Sequence, residues 1–165
     1  MVGSNDSRVL VIGVGNEIRG DDEVGLRVAS GVRERLPHQC NSVEESGEGA
    51  RLMELWKSSQ VTILVDAVKS GAEHGDIHRY EAHNSPLPAS MFHYSTHAFG
   101  VPQAIELARV MNQLPQRLIV YGIEGKCFDE GAAMSLVVER AVRKVVELIT
   151  FEVSQHQPLT STTHQ

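Results

Sequence analysis

The stretch at residues 11–25, VIGVGNEIRGDDEVG, decides the fold. The run RVLVIG at residues 8–13 is continuously apolar after its first residue and ends on glycine, which predicts a strand buried on both faces of a sheet. Beyond the turn, Val24, Val28, Val32 and Leu36 recur at helical spacing until Pro37 closes the helix. A strand passing through a glycine turn into a helix is the repeating unit of a parallel α/β sheet. Such turns often hold phosphate on bare backbone N–H groups. Here Asp21, Asp22 and Glu23 stand where phosphate would sit. The third glycine of a GxGxxG turn would fall on Ile18, and Gly20 is out of register, so the dinucleotide reading is weak. Gly13 and Gly15 are accounted for by a tight turn that needs glycine's backbone angles.

The rest of the chain repeats this alternation. A weaker strand is expected near residues 41–45 and a helix over GARLMELWKS, with Leu52, Leu55 and Trp56 inward. VTILVDAV, residues 61–68, reads as a second buried strand with Asp66 as its single charge. GDIHRYEA reads as an edge strand. Val101, Ala104, Ile105, Ala108 and Met111 make one apolar helix face, and RLIVYGIEG reads as another buried strand. Val138, Ala141, Val142, Val145 and Ile149 face inward on a last helix. Alternating strands and helices require a largely parallel sheet with helices on both faces, whose ligands lie beyond the carboxyl ends of the strands. The expected layout is one α/β domain over residues 1–152 and a disordered polar tail over residues 153–165.

Composition bounds the function. A chain of 165 residues suits one core and one site. A net charge of −6 argues against the basic surface that nucleic acid needs, leaving a protein or small molecule as partner. Cys40 and Cys127 lie far apart without CxxC spacing, which fits a reducing cytoplasm. No apolar run approaches the roughly 20 residues of a membrane span, and the first residues lack the apolar core of a signal peptide.

Three residues stand out chemically. Asp22 follows the first strand, Asp66 ends the second strong one, and His97 precedes the third helix, so a parallel sheet aims all three at one edge. Two carboxylates and an imidazole suit a divalent first-row metal and leave positions open for water or substrate. Each also has a plainer role. Acids in a first helical turn favour the helix dipole, Asp66 can bond its own backbone, and His97 is one of eight histidines. His93, four residues earlier, can share the site. Cys127 reads as a small semi-buried loop residue, and no GxSxG, HExxH or P-loop motif is present.

In combination, GVGNEIRGDDEVGLRV, LVDAV, STHAFG and VYGIEG followed by AVRKVVELI resemble the hydrogenase maturation endopeptidases, in that family's order from about residue 9 to residue 149. The resemblance implies a three-layer α/β/α sandwich with a mostly parallel, twisted central sheet. It implies an endopeptidase that removes a short C-terminal extension from the [NiFe]-hydrogenase large-subunit precursor after nickel insertion. It further implies that nickel, supplied by that precursor and replaceable by other divalent metals, is bound by Asp22, Asp66 and His97. Asp22 or Asp66 would serve as catalytic base. Gly13, Gly15, Asn16, Asp21 and Gly25 would support the turn, and the protein would act as a cytoplasmic monomer. A docking module that reads nickel without cutting, and a small nucleotide-binding module, remain as alternatives. The chain departs from the family at Gly125 and Lys126, where several members carry proline.

Overall fold

The computed structural model describes residues 9–88, 91–92 and 97–156. Five strands alternate with four helices: β1 (Val9–Val14), α1 (Val24–Arg35), β2 (Asn41–Glu45), α2 (Gly49–Trp56), β3 (Val61–Val68), β4 (Ile77–Glu81), α3 (Val101–Val110), β5 (Arg117–Glu124) and α4 (Leu136–Gln155). The sheet order is β2-β1-β3-β5-β4, parallel except for β4, which runs antiparallel along the β5 edge.

Strands β1, β3 and β5 lack polar alternation because helices cover both their faces. Val9, Val11, Ile63, Val65, Ile119 and Ile123 pack toward α1 and α4. Leu10, Ile12, Leu64, Leu118 and Val120 pack toward α2 and α3. The result is the expected three-layer α/β/α sandwich. Val24, Val28 and Val32 of α1 are fully buried, as are Leu52 and Trp56 of α2. Each such side chain contributes about 1.5–3 kcal/mol by leaving water.

The strand order has a consequence for function. From β1 the chain turns outward to β2, whereas the next strand along the other side of β1 is β3. The crevice between the carboxyl ends of β1 and β3 is therefore the switch point where open α/β sheets hold ligands.

Three expectations on packing are corrected. Met111 is half exposed, because α3 ends at Val110 and the chain turns away from the core there. Helix α4 continues to Gln155 with Val153 fully buried, so residues 153–155 belong to the domain rather than to a tail. Among the glycines of the first turn, only Gly20 has a positive φ, at 57°. Gly13, Gly15 and Gly25 are required by close approach instead. A Cβ on Gly25 would lie 2.1 Å from the Val14 carbonyl oxygen and 2.5 Å from that of Val65, and one on Gly13 would lie 2.0 Å from the Gly25 carbonyl oxygen. Helix α1 thus begins in direct backbone contact with β1 and β3, which brings the residues just before it to the switch point.

Candidate active site

Between Gly15 and α1 the chain makes a loop and a single 3-10 turn, Gly20–Glu23. Asn16 holds the loop. Its side-chain oxygen accepts from the Ile18 N–H at 3.1 Å, and its own N–H donates to the Asp22 carbonyl at 3.1 Å. The acids therefore lie in this 3-10 turn rather than in the first turn of α1, and none makes a side-chain cap.

Neighbours Asp21 and Asp22 have opposite fates. Asp21 is fully buried and reaches across to the segment between β5 and α4. One carboxylate oxygen accepts from the Lys126 N–H at 2.7 Å, the Cys127 N–H at 2.8 Å and the Ser135 hydroxyl at 2.8 Å; the other accepts from the Ser135 N–H at 2.8 Å. Burial alone would raise its pKa, but the donors from Cys127, Ser135 and Lys126 outweigh it and hold the carboxyl below its ordinary value. Asp21 is thus a tie between two loops and does not line the pocket described next. Its N–H also donates to the Cys127 carbonyl at 2.8 Å. A Cβ on Gly20 would lie 2.5 Å from that same oxygen, so glycine is required where the two segments meet.

Asp22 turns the other way. With Asp66 and His97 it lines one cavity of about 410 Å³ at the carboxyl edge of β1 and β3, walled further by Asn16, Leu26 and Phe92. Asp66 lies inside β3, two residues before its end, and its side-chain oxygen accepts from the Ala67 N–H at 2.8 Å. The plainer role is met without removing Asp66 from the cavity: one oxygen bonds the adjacent backbone while the residue lines the wall. Burial pushes the Asp66 carboxyl well above its ordinary value, and the nearby Asp22 charge pushes it further. Burial likewise raises Asp22, against the favourable charge of Arg19. Two desolvated, mutually repelling acids at a switch point form a site that favours a cation. Among the described residues, no three His, Cys, Asp or Glu side chains form a ready metal cluster. His97 therefore shares the cavity without closing a ligand set around the two acids.

The sign of the Asp66 effect is definite. A carboxyl whose folded pKa is raised loses its proton more readily in the unfolded chain, so stability falls as pH rises from the unfolded value toward the folded one. Asp66→Asn keeps an oxygen for the Ala67 N–H and removes the charge. It is expected to raise the urea midpoint of the metal-free protein at pH 7, with the advantage over wild type vanishing below the ordinary carboxyl value of 3.8. Equal midpoints at pH 7 would contradict this electrostatic account.

Sequence reasoning missed the turn between β2 and α2, where Ser46 and Gly47 form part of the cavity wall. Its signal was the pair Gly47 and Gly49 following a strand of a parallel sheet. His93, Ser95 and Thr96 lie outside the described residues, as do residues 157–165. Cys127 is half-buried and Cys40 buried, both as free thiols, and burial pushes the Cys40 thiol up to about 11. At the family departure, the Gly125 N–H donates to the Val68 carbonyl at 3.0 Å, a bond that proline could not make. No helix among the described residues is long and apolar enough to cross a membrane.

Known proteins resemble this chain in sequence and in fold. The family model for hydrogenase maturation proteases matches residues 33–152. A Methanocaldococcus jannaschii protein assigned by name to the hydrogenase maturation proteases is 29% identical over 153 residues, covering 89% of this chain and 97% of its own. The hydrogenase expression/formation protein HupD of Thiocapsa roseopersicina is 22% identical over 147 residues, and the match covers 87% of this chain but only 66% of that longer protein. In fold, the chain is similar to the hydrogenase maturating endopeptidase HybD from Escherichia coli. The TM-score is 0.73 with 20% identity, over 90% of this chain and 93% of that one. With most of its length matched by the family model, and with the α/β/α architecture to go with it, this chain belongs to the hydrogenase maturation protease family.

Proposed function

We propose that this protein is an endopeptidase that removes a short C-terminal extension from a [NiFe]-hydrogenase large-subunit precursor after nickel insertion, with the precursor's nickel as the recognition element. The observation that carries this reading is the convergence of Asp22, Asp66 and His97, distant in sequence, on one cavity at the switch point of the sheet. In this reading a nickel ion borne by the precursor meets Asp22, Asp66 and the imidazole of His97. It neutralises the two acids, whose repulsion in its absence keeps one of them inclined to hold a proton. The metal supplies Lewis acidity toward the scissile carbonyl.

Docking of the extension beside the metal supplies proximity and orientation. Water then attacks the carbonyl carbon, Asp22 or Asp66 takes its proton as general base, and that proton passes to the leaving amine. In the metal-free site burial raises both carboxyls above their ordinary value, which makes either a stronger base than a solvated aspartate. Asp21, tied into the loops, has no part in the chemistry. The protein is read as a cytoplasmic monomer whose partner is the precursor, with other divalent metals able to replace nickel.

The test is to mix the protein with nickel-loaded and nickel-free precursor and follow the precursor's mass. Shortening of the loaded form alone is the expected result. Nickel-dependent binding without shortening would instead make the protein a docking checkpoint. Equal shortening of both forms would remove nickel from recognition. Micromolar affinity for NAD or ATP would revive a nucleotide-binding reading, against the three acids of the 3-10 turn.

A further inference from the structure

The cavity wall holds few hydrogen-bond donors for a reaction that must place negative charge on a carbonyl oxygen. Its polar side chains are those of Asn16, Glu17, Asp22, Ser46, Asp66 and His97. Ionised acids only accept, and His97 is taken up as a metal contact in the proposed reaction. In the same wall the N–H groups of Gly15, Asn16 and Ala67 are spent on the Glu45 carbonyl, the Asp22 carbonyl and the Asp66 carboxylate. Asn16 and Ser46 remain as side-chain donors. A serine hydroxyl rotates about its own bond, whereas the Asn16 amide is locked.

Two bonds lock it. The Asn16 N–H bond to the Asp22 carbonyl sets its main chain directly beside that of Asp22. The Ile18 N–H, at 3.1 Å, then decides which branch of the amide is which: an acceptor must face it, so the oxygen stands there and the NH2 on the opposite branch. That NH2 donates to no group among the described residues. Nor is it one of the buried polar atoms left without a partner there, which are Trp56 Nε1, Thr62 Oγ1 and Arg117 Nε. It is therefore open to solvent, on a residue that borders the cavity beside Asp22.

We propose that the Asn16 amide is a catalytic donor, its NH2 hydrogen-bonding the oxygen of the scissile carbonyl and holding the negative charge that gathers there. The proposal rests on the endopeptidase reading. As the water oxygen bonds to the carbonyl carbon, the π pair moves onto the carbonyl oxygen while the general base takes the water's proton. When that pair returns, the C–N bond breaks, its electrons leave with the nitrogen, and the nitrogen takes the proton from the base. A carbonyl oxygen has two lone pairs, so one can accept from the amide while the other meets the metal. A donor locked beforehand needs no reorganisation as charge develops, and loss of one such donor costs about 10²–10³-fold in rate. Holding the loop alone does not require asparagine, because Asp and Ser side chains accept from the N–H two residues on in the same way.

Asn16→Asp and Asn16→Ser keep an acceptor for the Ile18 N–H and remove the amide donor, one with an added charge and one without. The expected result for both is a urea midpoint near that of wild type, affinity for the nickel-loaded precursor within a few-fold, and single-turnover shortening slowed by about 10²-fold or more. A fall in rate confined to Asn16→Asp would mark the added charge as its cause, and one confined to Asn16→Ser a weaker hold on the loop; either overturns the proposal. Rates within a few-fold of wild type in both variants would overturn it too, as would parallel losses of rate, binding and midpoint, which would make Asn16 a turn residue only. Wild type that binds the loaded precursor without shortening it would overturn the endopeptidase reading and the donor role with it, whereas every other outcome leaves that reading standing.

Discussion

Asp22→Asn is expected to slow nickel-dependent shortening of the precursor by about 10²–10⁴-fold, the range for loss of a positioned acid–base group or metal contact. The chain's fold should survive, because the Asp22 carboxyl is desolvated and repels Asp66, so the variant removes an unfavourable charge from the folded state. A urea midpoint at or above that of wild type, beside a collapsed processing rate, is therefore the signature of a site that sacrifices stability for function. Single-turnover mass spectrometry with a loaded precursor reads the rate. Processing within a few-fold of wild type would remove Asp22 from the chemistry, whatever its place in the cavity wall.

Asp21→Ala should produce the largest loss of stability. The substitution strands the N–H groups of Lys126, Cys127 and Ser135 and the Ser135 hydroxyl, all of which now point at one buried carboxylate. An unsatisfied buried donor costs about 1–3 kcal/mol, so the total is expected to exceed about 4 kcal/mol. Against the roughly 5–15 kcal/mol that holds a domain folded, that is enough to leave the variant marginal. The pH dependence carries its own sign. Because the folded carboxyl is held below its ordinary value of 3.8, its contribution is complete above that value and is lost as pH falls through the folded value. Wild type should therefore lose stability below about pH 4, while Asp21→Ala shows a flatter acid limb. A loss under about 1 kcal/mol would mean that the loop between β5 and α4 finds other partners.

The adjacent pair also marks the limit of what could be read from residues. The four α-helices and the strands β1, β3 and β5 were legible, because burial on both faces leaves an unbroken apolar run and burial on one face leaves a 3.6-residue stripe; the partly exposed strand β2 carries neither signature, and the 3-10 turn Gly20–Glu23 was not foreseen. Asp22, Asp66 and His97 were legible as candidates because a parallel sheet sends the ends of its strands to one edge. Asp21 was not separable from Asp22, since both are acids before the same helix.

By itself, then, the order of apolar runs, glycines and breakers determined the α/β/α layering and which strand ends would face a ligand, since these depend on local periodicity and on the handedness of crossovers. Only the tertiary structure decided the strand order β2-β1-β3-β5-β4 and which carboxylate is structural and which faces the cavity. The reason is that a charge takes its character from the donors, dielectric and neighbouring charges that packing brings to it. For Asp21 those are backbone N–H groups more than a hundred residues away, and for Asp22 a second acid across the switch point.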